Sequence, residues 1–325
     1  MWKRRSIFKV ATAAVVIAAH QPLLAQTYPN RAVTMVVPFP AGGITDTVTR
    51  ALANKISDQL GKPVIVDNRP GGGGQIAAAQ VRQQPADGHT VYVGATEMFA
   101  INPALYRNFS YDPLKDFAPV TSLITSPLVL VVPANSPMYT VNDVIQHAKT
   151  RKGGLNFASQ GIGSIGHLLG ETFRMKTGGT LNHVAYKGSA PALQDVMAAQ
   201  VDFMFDPVIT TAPLIAGKKL KPLAIAAETR SPQLPNVPTL SELGIKGVDA
   251  GVWFGAVVKT GTPASTVQRL NEAITTAMKD PDVLKRFADQ GMQPFPATPE
   301  QFGKFMQAEQ ARWAPLVKAS GASID

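Results

Sequence analysis

Short β-rich runs alternate with longer segments of helical period along most of the chain. Val33–Val37, Val64–Asp67 and Val91–Gly94 read as strands, with helices over Thr45–Leu60 and Gln75–Gln84 between them. A second series follows at Leu128–Val132, Leu155–Ala158, His183–Tyr186, Phe203–Phe205 and Leu223–Ala227. Helices over Val141–Arg151, Ser164–Lys176 and Pro191–Gln200 separate these strands, and Leu193, Val196 and Met197 fall on one helical face. Such alternation predicts an α/β fold with largely parallel sheets. The C-terminal quarter is helical and sharply punctuated. Thr262-Pro263 opens a helix with an apolar stripe of Val267, Leu270, Ile274 and Met278, and Asp280-Pro281 opens another that Gly291 stops. Thr298-Pro299 opens a third, with Gln301 at the capping-box position. Phe302, Phe305, Met306, Trp313 and Leu316 then follow helical spacing and are assigned to the core.

The first 25 residues carry a different pattern. Lys3, Arg4, Arg5 and Lys9 precede an unbroken apolar or small run, Val10–Ala19, and Pro22-Leu23-Leu24-Ala25 then offers a small residue for cleavage near Ala25 or Gln26. The run is shorter than the roughly 20 residues a spanning helix needs, so residues 1–25 read as a secretory signal peptide. Lys3-Arg4-Arg5-Ser6-Ile7-Phe8-Lys9 also has the look of a twin-arginine signal, so export is by the general secretory route or the folded-protein route. The expected location is the periplasm.

Composition narrows the chemistry. The 325 residues are 45% hydrophobic and 16% charged, against a charged share of about 25% in average soluble domains, which excludes disorder and coiled coils. The absence of cysteine excludes disulfide frameworks, cysteine-ligated metal centres and thiol catalysis. The formal charge of +9 falls to +5 without the four basic residues of the leader, and the remaining Lys and Arg are scattered. No basic stripe tracks a nucleic-acid backbone.

Two glycine loops are the informative feature. Pro38-Phe39-Pro40-Ala41-Gly42-Gly43-Ile44-Thr45-Asp46 joins the strand Val33–Val37 to a helix. Ser159-Gln160-Gly161-Ile162-Gly163-Ser164-Ile165-Gly166-His167 does the same after Leu155–Ala158. Each offers backbone N–H groups at a helix N-terminus, where partial positive charge favours an anion. Ligands of open α/β sheets collect at the carboxyl ends of strands, where both loops lie. Two such loops facing across a cleft would hold one small anion. Gly161, Gly163 and Gly166 also spell G-x-G-x-x-G, but the next strand ends Tyr186-Lys187-Gly188 without the carboxylate a dinucleotide site requires. No G-x-S-x-G, no H-E-x-x-H and no Walker lysine occurs. His89, after Asp87-Gly88, is assigned a structural role in a turn.

The ordered set of motifs resembles the Bug (Bordetella uptake gene) or TctC-like family, extracytoplasmic solute receptors of tripartite tricarboxylate transporters. The matching segments include Pro38-Phe39-Pro40-Ala41-Gly42-Gly43 with Asp46, Val66-Asp67-Asn68-Arg69-Pro70-Gly71, Pro85-Ala86-Asp87-Gly88-His89-Thr90, Tyr111-Asp112-Pro113, Gly163-Ser164 with His167, Tyr186-Lys187-Gly188 and Arg312-Trp313. The resemblance implies a two-lobed periplasmic binding fold that closes like a Venus flytrap. Residues 26–125 and 250–325 would form a discontinuous first domain and 126–249 the second. It implies a small organic acid or amino-acid-like ligand, membrane subunits of a transporter as partners, a monomer, and no cofactor, metal or catalysis. First-lobe contacts would be Phe39, Ala41, Gly42, Gly43, Asp46 and Thr96. Second-lobe contacts would be Gly161, Gly163, Ser164, His167, Lys187, Ser189, Ala190 and Asp206.

In that picture the loop amides and the Ser164 hydroxyl take the ligand carboxylate, and Lys187 is the obvious cation. Asp46 and Asp206 either meet an ammonium, hydroxyl or water or cap helices, and His167 packs or donates. In the loop Gly94–Asn102, Glu97 and Met98 stand where the resemblance leads one to expect small, hydroxyl-bearing or His residues. A Glu97 facing the cleft would disfavour a simple dicarboxylate and favour a ligand with a positive or neutral end; facing solvent it carries no information. The rival readings are a sensor input for a signalling receptor and an exported α/β enzyme.

Overall fold

A computed structural model describes residues 28–325, so the leader pattern of residues 1–25 lies outside the described residues. The first half of the fold begins as the alternation predicts. Strands β1 (Val33–Val37), β2 (Val64–Asn68) and β3 (Thr90–Ala95) pair in parallel, with β1 central and helices α1 (Ile44–Leu60) and α2 (Gln75–Gln83) as the crossovers. One turn of π-helix, Glu97–Ile101, and the short α3 (Asn102–Leu105) follow.

Strand β4 (Phe117–Pro133) then serves two sheets. Through Pro127 it pairs antiparallel with β9 (Gly251–Lys259), which itself lies against β3. From Leu128 onward it lies between β7 (Phe203–Pro207) and β8 (Leu220–Ala226), both antiparallel to it. Register shifts after Pro119, Ser122 and Leu130 let this long strand bend as it passes from one sheet to the other. Strand β5 (Leu155–Ser159) pairs in parallel with β6 (Leu181–Ala185) and with β7, and helices α4 (Val141–Thr150), α5 (Ile165–Thr177), α6 (Ser189–Met197) and α7 (Val208–Ala216) connect this second lobe. The chain returns to the first lobe at β9 and finishes with α8 (Ala264–Ala277), α9 (Pro281–Asp289), the two-residue β10 (Gln293–Pro294) on β4, and α10 (Pro299–Ser320).

The sheets are therefore mixed rather than largely parallel, a correction to the sequence reading. The strands that cross between lobes, β4 and β9, run antiparallel because each carries the chain back from where the other came. Both are apolar runs without alternation: Leu128–Val132 is fully buried, and β9 is buried from Val252 to Val258. Helix α7 also went unpredicted. Its sequence is rich in β-branched residues and carries Pro213 inside, so local propensity argues against helix and burial of Val208 and Thr211 decides otherwise.

The C-terminal helices do what their punctuation promised. Thr298 and Gln301 form a reciprocal capping box, and the Asp280 side chain caps α9 by accepting from Asp282 and Val283. Helix α8 begins one residue later than expected, with Pro263 in the cap position and Ala264 the first helical residue. Phe302, Met306 and Trp313 are buried, and Phe305 and Leu316 pack at the core edge. Glu309 ties α10 to β9: its Oε2 accepts from the indole N–H of both Trp253 (2.9 Å) and Trp313 (3.0 Å). Among the described residues no helix is long and apolar enough to cross a membrane.

Candidate functional site

A cavity of about 570 Å³ lies between the lobes, at the carboxyl ends of β1, β3, β5 and β7. Both glycine loops reach it. The first supplies Phe39, Pro40, Gly43, Ile44 and Thr45; the second supplies Gln160 through Ile165. Gly188 and Ser189 bring in the start of α6, and Pro207 and Thr210 that of α7. Four helices thus present their N-terminal ends to one space, and each end carries amides that no preceding turn can satisfy.

The glycines set the turns, while the free donors belong to their neighbours. Gly42 and Gly163 adopt left-handed backbone (φ 84° and 74°), which other residues resist. Their amides are already used: Gly42 donates to Asp46 Oδ2 (2.9 Å) and Gly163 to His167 Nδ1 (3.1 Å). Among the described residues the amides of Ile44, Thr45, Ile162 and Ile165 have no acceptor, and all four residues line the cavity. The Ser164 hydroxyl is likewise engaged, donating to the Gly161 carbonyl and accepting from the His167 amide, so it shapes the turn it caps.

Of the sequence-predicted contacts, Phe39, Gly43, Gly161, Gly163, Ser164 and Ser189 line the cavity. Ala41, Gly42, Asp46, Thr96, His167, Lys187, Ala190 and Asp206 do not. Asp46 is buried behind the first loop and accepts from Gly42, Arg50 Nε and Asn68 Nδ2, while Asn68 also donates to the Phe39 carbonyl. Burial alone would raise the Asp46 carboxyl, but these donors outweigh it and hold the group below its ordinary value. It clamps the loop from behind. Thr96 is fully buried and bonded to both the amide and the carbonyl of Trp253, pinning β3 to β9. Lys187 and Ala190 are exposed and flank the lining residues Gly188 and Ser189.

His167 packs behind the second loop. Its ring stacks on His183 with centroids 3.8 Å apart, and His183 Nε2 shares a 2.6 Å hydrogen bond with Ser159 Oγ. Burial pushes both histidines down to about 4, with mutual repulsion adding to the shift at His183, so both are neutral near pH 7. Asp206 lies under the floor of the cavity with no exposed surface. Its carboxyl accepts from Gln160 Nε2 (2.5 Å), Ser189 Oγ (2.7 Å) and Thr210 Oγ1, three side chains that do line the cavity. Burial lifts it to about 6 against the lowering effect of those donors. Asp206 is a positioning residue for the second-lobe wall.

Among the described residues no lysine, arginine or histidine lines the cavity. Its ionisable side chains are Glu97 and Tyr106. Attraction for an anion therefore comes from helix ends and amides, not from a countercharge. Gly163 comes directly against the first lobe, where a Cβ on it would overlap Leu105. The two lobes touch at this point, across the cavity mouth.

A family model described as "Tripartite tricarboxylate transporter family receptor" matches residues 48–322. The chain belongs to that family. The receptor is 36% identical to the protein BugT of Bordetella pertussis over 304 residues, 93% of each chain. Among solved structures it is similar to Rpa4515 of R. palustris with adipate (35% identity, TM-score 0.80, 91% of this chain and 99% of that one). It is also similar to MatC from Rhodopseudomonas palustris with bound malate (34% identity, TM-score 0.77, 89% and 100%). Membership makes the chain a solute-binding receptor with the two-lobed α/β fold of periplasmic binding proteins, not an enzyme.

Several residues that build the receptor's cavity were not singled out from sequence. Leu105, Tyr106, Val252, Phe254 and Ile324 reach it from α3, β9 and the C-terminus, which no local motif marks. Ile44 and Ile165 were legible in principle: they are the first residues of α1 and α5, and the opening amides of a helix find no acceptor in a preceding turn.

Proposed function

We propose that this receptor captures a small carboxylate in the interlobe cavity, in the periplasm, and delivers it to the membrane subunits of a tripartite tricarboxylate-type transporter. The observation that carries this reading is the convergence of unpaired amides from both lobes, at Ile44 and Thr45 on one side and Ile162 and Ile165 on the other, on one cavity. Each charge-assisted hydrogen bond from such a donor contributes about 1.5–3 kcal/mol. The relatives with adipate and malate support a carboxylate class, and the basic-then-apolar start of the chain supports export. The lobes are assigned as residues 26–125 with 250–325 and residues 126–249, joined where β4 changes sheet and where the chain returns at Gly251. A ligand held by both lobes favours the closed arrangement by differential contact.

The test is a thermal-shift screen of the chain from Gln26 onward against organic acids and amino acids, followed by calorimetry on hits. A ligand at a hundredfold excess over its Kd stabilises the native state by about 2.7 kcal/mol. Stabilisation by carboxylates, lost on esterification, is the expected result. Stabilisation that survives esterification, or none by any acid, overturns the carboxylate reading.

A further inference from the structure

Glu97 opens the π-turn after β3 and lines the cavity; among the described residues its carboxyl meets no other side chain and accepts only from its own backbone N–H, and burial raises it above the ordinary carboxyl value. The other carboxylates near the site are satisfied: Asp46 by Gly42, Arg50 and Asn68, Asp206 by Gln160, Ser189 and Thr210. No Lys, Arg or His lines the cavity to neutralise Glu97. Much of the remaining wall is apolar, with Phe39, Met98, Leu105, Val252 and Phe254 around it. A dicarboxylate placed here would bring a second carboxylate beside a carboxyl whose ionised form burial already disfavours, and like charges in a partly desolvated site repel, whereas an ammonium at the same place favours the ionised form.

We propose that Glu97 is a specificity residue and that the ligand is an apolar-bodied carboxylate with a cationic amine at its other end. The loop amides take the carboxylate, the apolar wall covers the carbon body, and Glu97 accepts from the ammonium. This rests on the carboxylate reading above and narrows it. It also separates the receptor from relatives whose structures hold adipate or malate.

Calorimetry with matched series decides the matter: straight-chain amino carboxylates and apolar α-amino acids, α,ω-dicarboxylates, and plain monocarboxylates of four to eight carbons. The protein is expected to bind an amine-bearing acid about tenfold or more tighter than the dicarboxylate and the monocarboxylate of equal length. Glu97→Gln, which keeps the shape and removes the charge, is expected to erase that preference, bringing the amine-bearing acids down to the affinity of the monocarboxylates of equal length. Dicarboxylates or monocarboxylates that bind as well as the amine series, or a preference that survives Glu97→Gln, overturn the inference and leave the carboxylate receptor standing. No binding in any series overturns both.

Discussion

Single residues in the receptor divide into those that face the cavity and those that hold the facing ones in place. Asp46, His167 and Asp206 carry the chemistry that draws attention in a sequence, yet each is spent on the wall: Asp46 on the Gly42 turn, His167 on the Gly163 amide, Asp206 on Gln160, Ser189 and Thr210. Buried polar groups must find partners, and the nearest ones are the loop atoms themselves. Gly163 tests this scale directly. Gly163→Val places a β-branched side chain at φ 74° and against Leu105 of the opposite lobe. Ligand affinity is expected to fall more than about tenfold, because closure is blocked. The backbone strain of about 1–3 kcal/mol lowers the melting temperature by several degrees without unfolding the protein. Calorimetry returning wild-type affinity would show that this loop does not meet Leu105 in the bound state.

At the level of elements, the joints between α10 and β9 matter more than any one helix. Glu309 is 7% exposed and gives one carboxylate oxygen to two indole N–H groups. Glu309→Ala leaves both indoles without an acceptor inside the core and is expected to cost roughly 2–4 kcal/mol in urea unfolding. Glu309→Gln retains an acceptor oxygen and should recover most of that loss. Elements with strong punctuation were legible: the capping box at Thr298 and the cap at Asp280 formed as their spacing implies. Elements whose identity depends on what they touch were not. The apolar run of α7 could as well be strand, and only its place between β7 and β8 makes it helix. The π-turn at Glu97–Ile101, which aims the proposed specificity residue, has no sequence signal at all.

For the molecule as a whole, pH dependence follows from groups buried in the second lobe. His167 and His183 take up protons near 6.5 when unfolded and only near 4 when folded, so the unfolded state binds more protons between these values. The stability they contribute is present above about pH 6.5 and is lost as pH falls toward 4. Asp206 works in the opposite sense, since its folded value near 6 lies above the ordinary 3.8 and its contribution is lost as pH rises through 6. Two histidines outweigh one aspartate. Denaturant midpoints are expected to fall from pH 6.5 to pH 4, and His183→Phe, which keeps a stacking ring, should make that fall shallower. An equal slope in the variant would remove His183 as a source of the acid sensitivity.

The sequence by itself determined the α/β alternation, the two glycine turns at strand ends and the helix caps of the last quarter, because each is written in contiguous residues and obeys local sterics or local hydrogen bonding. The family followed from the same contiguous motifs in order. Tertiary structure alone decided that β4 belongs to two sheets, that the sheets are mixed, that Asp46 and Asp206 turn into the walls, and that Glu97 lies on the cavity surface with only its own backbone N–H to accept from. Those outcomes depend on which groups from distant segments arrive beside one another. Whether a carboxylate is satisfied is a property of its neighbours in space, and for Asp46 and Asp206 these include Asn68 on β2, Gln160 after β5 and Ser189 on α6, each far away in sequence.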